Sequence, residues 1–103
     1  MKPSPDRLLI SNYPHRLDVP ARFTDLDPLN HLNNVAIGNF YEEGRAAFNH
    51  MAFKRLAERR RPRMVMAHAS ISFLREGRYP GLLTVATGVL KVGASSFTLG
   101  HAL

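Results

Sequence analysis

The chain contains no cysteine. That excludes a disulfide scaffold, a thiol nucleophile and a thiolate zinc site, and it leaves the redox compartment open. No apolar run approaches the roughly 20 residues of a membrane span. Residues 1–16 lack the apolar block of a secretory signal, so the cytoplasm is the expected location and no membrane insertion is expected. A Gly-x-Ser-x-Gly nucleophile elbow and a phosphate-cradling glycine loop are both missing. His15, His50, His68 and His101 are scattered without zinc-ligand spacing. Neither a metal nor a cofactor is expected.

What remains is a basic chain with a real core. Its 103 residues allow one domain, and a hydrophobic content of 45% is enough to build it. A domain this small buries a modest share of its surface, so a partner subunit would help. The net charge of +6 is uneven: Arg55, Arg59, Arg60, Arg61 and Arg63 crowd one segment, relieved only by Glu58. This run reads as a solvated helix end, as a landing patch for a phosphorylated ligand, or as a nucleic-acid contact. No aromatic residue interleaves with it and no zinc-finger or glycine-rich RNA-binding signature is present, so nucleic acid ranks last and is not an expected partner.

Residues 1–16 read as a tail or approach segment, and the domain as 17–103. Leu17, Val19, Ala21 and Phe23 alternate as in a strand, and Pro20 makes it an edge or irregular one. A polar turn follows. A helix then starts near Leu32–Asn34, with Asn30, Asn33 or Asn34 available as its cap. Ile37, Phe40, Tyr41, Gly44, Ala47, Phe48 and Met51 recur at threes and fours and make one apolar face. Gly44 costs about 1 kcal/mol of helix propensity, for which close approach to a sheet is the expected compensation. Arg61 before Pro62 gives the helical region its stop signal. Met64–Phe73 reads as a strand, with Val65, Ala67, Ala69, Ile71 and Phe73 on one face. Residues 75–81 turn the chain, Leu82–Val92 reads as a second long strand, and Ser95–Leu103 begins a third. One amphipathic helix against an antiparallel sheet is an α+β layer pair. Because the chain stops inside a strand and leaves an edge exposed, truncation at the C-terminus is expected.

The chemistry concentrates in Asp25-Leu26-Asp27-Pro28-Leu29-Asn30-His31-Leu32-Asn33-Asn34. Asp27 lies just upstream of the helix start. Its carboxylate suits a general base or a nucleophile, or it only caps and hydrogen-bonds the turn, as Asp commonly does. The backbone N–H of Asn34 falls in the first helical turn, where donors are unpaired and the dipole adds positive potential. That suits an oxyanion, or an ordinary helix start bonded to water. His31 either orients the carboxylate or substrate, or is a packed residue that pins the turn. Glu42 and Arg45 are spaced for a weak surface pair or for bracing the turn.

Asp27 through Asn34, followed by Phe40-Tyr41-Glu42-Glu43-Gly44-Arg45, resembles the hotdog-fold acyl-CoA thioesterases of the 4-hydroxybenzoyl-CoA thioesterase group. Phe73-Leu74-Arg75 with Gly81, and then Lys91-Val92-Gly93-Ala94-Ser95-Ser96, resemble that family's second and third strands. The resemblance runs from about Leu17 to Leu103. It implies a curved antiparallel sheet wrapped around a central helix, a homodimer or dimer-based tetramer with sites at the interface, and two further strands beyond Leu103. It further implies an acyl-CoA substrate, an acid at Asp27 and an oxyanion amide at Asn34. Arg75, Lys91 and Ser95 become candidates for holding coenzyme A. A hotdog enoyl-CoA hydratase or dehydratase, which pairs Asp and His across a short turn, is the second reading. A non-catalytic acyl-CoA-binding module is the third.

Overall fold

The computed structural model describes residues 3–57, 60–61 and 63–103. Glu58, Arg59 and Pro62, invoked above for the basic run and the helix stop, lie outside them. The main elements are strand β1 (His15–Pro20), helix α1 (Asn34–Phe53), strand β2 (Leu82–Val92) and strand β3 (Phe97–Ala102). The three strands form one open antiparallel sheet in the order β1-β2-β3. With α1 packed on it, this is the α+β hotdog-like arrangement, with the sheet not closed.

The strand patterns act as alternation predicts. In β1, His15, Leu17 and Val19 turn inward while Arg16, Asp18 and Pro20 are exposed. Pro20 ends an edge strand, where its missing donor breaks no ladder. On the outer face, Thr84 Oγ1 donates to Asp18 Oδ1 across the β1–β2 register at 2.7 Å. Central β2 has both neighbours, and Val85, Ala86, Thr87 and Gly88 are buried. The buried Thr87 hydroxyl is satisfied by His101 Nδ1 at 2.9 Å. Burial, and then the positive charges of Arg45 and Arg7, push the His101 imidazole below its ordinary value, so it is neutral in that bond at neutral pH.

Helix α1 lays its apolar stripe on this sheet. Ala36, Ile37, Phe40, Gly44 and Phe48 are buried at helical spacing, and Leu32, Ala36, Ile37 and Phe40 join Val85 in one core cluster. Gly44 has the compensation expected of it. A Cβ there would run into the side chain of Val85, with Val85 Cβ only 3.0 Å away, so the helix crosses β2 where glycine lets the backbones close. None of the described helices is long and apolar enough to cross a membrane.

Two expectations need correction. The helix ends at Phe53, well before Arg61. Met51 is already 43% exposed, and past Phe53 the chain from Lys54 to Ala57 is exposed, leaving no buried face to hold further turns. Arg61 contributes from downstream instead: its Nε donates to the Leu56 carbonyl and its guanidinium to that of Lys54, so it caps the chain leaving the helix. The second correction concerns Met64–Phe73, which forms no strand. Both of its alternating rows are exposed, Val65 to 92%. Alternation says which side chains share a face but supplies no partner. Both sides of β2 are taken by β1 and β3, and the segment pairs with neither outer edge.

Candidate active site

The site is built where the chain leaves β1 and enters α1. Residues Phe23–Asp25 form a single 3-10 turn. Asp25, 3% exposed, closes it by accepting from the Arg22 backbone N–H at 2.9 Å and from the Arg22 guanidinium at 2.9 and 3.3 Å. The hydrogen bond from Arg22 holds the Asp25 carboxyl below the usual carboxylate range, against the opposing effect of burial. The Asp25 carbonyl then accepts the N–H of Asn33, tying this turn to the residue that caps the helix. Asp25 thus closes the turn on Arg22 with both of its carboxylate oxygens.

Asp27 is held differently. Its Oδ1 accepts the N–H of Leu29 at 2.9 Å and that of His31 at 3.2 Å. Its own N–H donates to the His31 carbonyl, and its carbonyl accepts from Asn30. Asn30 completes this loop with φ of 62°, a left-handed conformation that asparagine tolerates better than most residues. One carboxylate oxygen is thus anchored by the turn. The other, Oδ2, has no partner among the described residues.

The helix start lies beside it. Of the three candidate caps, Asn33 performs the role: its side-chain oxygen accepts the N–H of Ala36 at 2.7 Å. The N–H groups of Asn34 and Val35, one and two residues into the helix, have no acceptor among the described residues. An open cavity of about 470 Å³ is lined by Asp27, Asn33, Asn34 and Val35, together with Arg22, Asp25 and Asn39. An anchored carboxylate and an unpaired helix N-terminus therefore border the same space. That combination offers a base or nucleophile beside donors for developing negative charge.

The His31 ring is not part of that lining. Its Nε2 pairs with Glu76 Oε2 at 2.6 Å, and Arg78 takes the other Glu76 oxygen at 2.6 Å. The next residues reinforce this contact. The Leu32 N–H donates to the Gly77 carbonyl, and Gly77 lies so close to Leu32 that a Cβ there would be 2.7 Å from Cδ1. Phe23 and Tyr79 meet edge to face, and the Ala21 N–H donates to the Gly81 carbonyl. The segment from Glu76 to Gly81 therefore runs alongside the turn.

Of the candidate ligand-holding residues, none lines this cavity. Arg75 is exposed and adjoins Glu76. Lys91 lies nine residues along β2 from its Leu82 end, about 30 Å at the rise of a strand. Ser95 follows in the β2–β3 turn, which Gly93 closes by donating to the Ser96 carbonyl. Neither Lys91 nor Ser95 is among the residues that line the cavity beside Asp27. Arg45 and Glu42 form no ion pair among the described residues, and Arg45 bears instead on His101. Sequence reasoning missed Arg22, Asn39 and Glu76. Asn39 had a usable signal, since it falls four residues after Val35 and so shares its helix face. Glu76 had none, because its partner is 45 residues away in a different turn.

Comparison with known proteins agrees with this architecture. No curated protein matches the chain. A solved structure described as a putative acyl-CoA thioesterase from Xanthomonas campestris is 26% identical and superposes with a TM-score of 0.69, over 84% of this chain and 73% of that one. The profile of the thioesterase-like superfamily matches residues 21–103, which take in the turn, the helix and the whole of β2 and β3. On that match the chain belongs to the thioesterase-like superfamily.

Proposed function

We propose that the protein hydrolyses an acyl-CoA thioester to the free acid and coenzyme A. The observation that carries this reading is that Asp27 and Asn34 line one cavity, with Asp27 Oδ2 and the Asn34 N–H each without a partner among the described residues. Family membership and the acyl-CoA thioesterase description of the similar structure support it.

Two routes use these groups. In the first, Asp27 takes a proton from water as its oxygen attacks the thioester carbonyl. The Asn34 amide stabilises the oxyanion, the C–S bond breaks, and the thiolate leaves and is protonated. In the second, the Asp27 carboxylate attacks the carbonyl itself and expels the thiolate. The resulting mixed anhydride is then opened by water. Removing one oxyanion donor typically costs about 3 kcal/mol in the transition state. The Asn39 side chain on the same cavity is an additional polar contact for the acyl or pantetheine portion.

Arg75, next to the turn on the same chain, is the nearer candidate for the phosphates of coenzyme A. Lys91 and Ser95 would serve a site only from a second subunit, which accords with a homodimer or dimer-based tetramer. The engagement of His31 with Glu76 speaks against the hydratase reading, which needs the imidazole at the substrate.

The test is a panel of saturated, aromatic and enoyl-CoA thioesters, scored for free thiol and for hydration. Thiol release without hydration is the expected result. Hydration without thiol release would replace the reading with the hydratase one, and binding of acyl-CoA with neither would make this a binding module. A single turnover in heavy-oxygen water separates the two hydrolytic routes: label in the Asp27 side chain marks the anhydride.

A further inference from the structure

We infer that Glu76 is a positioning residue for the site: by holding the His31 ring it fixes the turn that aims the Asp27 carboxylate. The inference rests on the hydrolase reading for its catalytic consequence, but its structural content stands apart from that reading.

Asp27 owes its orientation to His31 through the backbone in both directions. The His31 N–H donates to Asp27 Oδ1, and the His31 carbonyl accepts the Asp27 N–H. Neither bond constrains where His31 itself sits. The base of the loop is tied by the Asn33 N–H to the Asp25 carbonyl, and the His31 ring is held from outside the turn, through the 2.6 Å contact of Nε2 with Glu76. Glu76 is in turn pinned through its second oxygen by Arg78. Leu32, the next residue, is tied to Gly77 by a backbone hydrogen bond and by close packing. Two consecutive residues between Asp27 and the helix start are therefore clamped by two consecutive residues of one distant loop.

Without the clamp, the loop from Asp27 to His31 opens more often, breaking the bonds that the Leu29 and His31 N–H groups give Asp27 and letting the loop shift relative to α1. The separation of carboxylate and helix amide would then vary, and catalysis is sensitive to displacements of about 1 Å. The His31 and Glu76 side chains are each 40% exposed. Exposed ion pairs contribute little to global stability, so the contact's consequence is expected in local geometry and not in the melting temperature.

The experiment compares the full-length protein with Glu76→Ala, Glu76→Asp, His31→Ala and the double variant. Two readouts are used: kcat and KM for thiol release, and amide hydrogen exchange by NMR. For Glu76→Ala we expect exchange at Leu29 and His31 to rise about tenfold while Val85–Thr87 are unchanged, and kcat to fall about tenfold with KM and Tm little moved. Glu76→Asp should recover part of both effects. The double variant should lose no more kcat than the worse single one, as for groups acting as a unit. Unchanged exchange at Leu29 and His31, or additive losses in the double variant, would overturn the proposal. If the wild type releases no thiol from any acyl-CoA, the hydrolase reading fails on its own, and the exchange data still decide whether Glu76 orders the turn.

Discussion

Residues 21–34 and 64–74 are stretches of similar length with equally readable patterns, yet they end in opposite states. The first is a dense set of short-range bonds: Asp25 closes on Arg22, Asp27 on Leu29 and His31, and Asn33 on Ala36. The second is exposed along its length and belongs to no strand. The difference lies in where the partners are. A capping asparagine or turn aspartate finds its donors two to four residues away, so its sequence neighbours complete the structure. A strand needs a second backbone, which its own residues do not supply.

Substitutions can break this contrast from either side. The largest stability effect is expected at Asp25. Asp25→Ala removes the acceptor of the part-buried Arg22 backbone N–H and opens the turn, and a loss of up to about 1.5 kcal/mol follows, or roughly 4–8 °C of Tm per kcal/mol for a domain of this size. Thermal melts measure it. Asp25 also sets an acid dependence. Its carboxyl ionises at lower pH in the folded than in the unfolded chain, so its contribution is complete above the ordinary carboxylate range. As pH falls below about 4 the unfolded state takes up the proton first, and that contribution is lost until the folded carboxyl protonates as well. Asp25→Asn should flatten this part of the pH–stability curve.

The next effect belongs to the helix cap. Asn33→Ala frees the Ala36 N–H and should cost about 1 kcal/mol in urea melts, which would sharpen the distinction between Asn33 and its neighbours Asn30 and Asn34. The smallest belongs to the other region. Proline inside a paired strand removes a ladder bond, but Ala69→Pro has no ladder to interrupt and should change stability by less than about 0.5 kcal/mol. A loss of several kcal/mol there would mean that 64–74 is paired in solution, and the contrast would collapse.

How much could be read in advance follows the same division. The bounds of β2 matched residue for residue because its run is long, apolar and closed by Gly93. Gly44 was legible as a close-approach point because glycine in a helix interior is otherwise unfavourable, and Val85 is what it approaches. Turn and helix-start chemistry singled out Asp27 and Asn34 as candidates, and both line the same cavity. The Glu76–His31 contact could not be read in this way, since nothing local to either residue implies the other. The end of α1 was misjudged for a related reason. Proline marks where a helix must stop, whereas packing determined where this one does.

In the proposed reaction the unanchored oxygen of Asp27 does the chemistry beside the Asn34 amide. The most direct measurement is kcat for thiol release by Asp27→Asn, in protein whose melting curve shows it folded. The side-chain amide still offers an oxygen to the Leu29 and His31 donors but neither accepts a proton from water nor attacks a carbonyl as a carboxylate does, so a fall of about 10²–10⁴-fold is predicted. Wild-type turnover in that variant would contradict the claim.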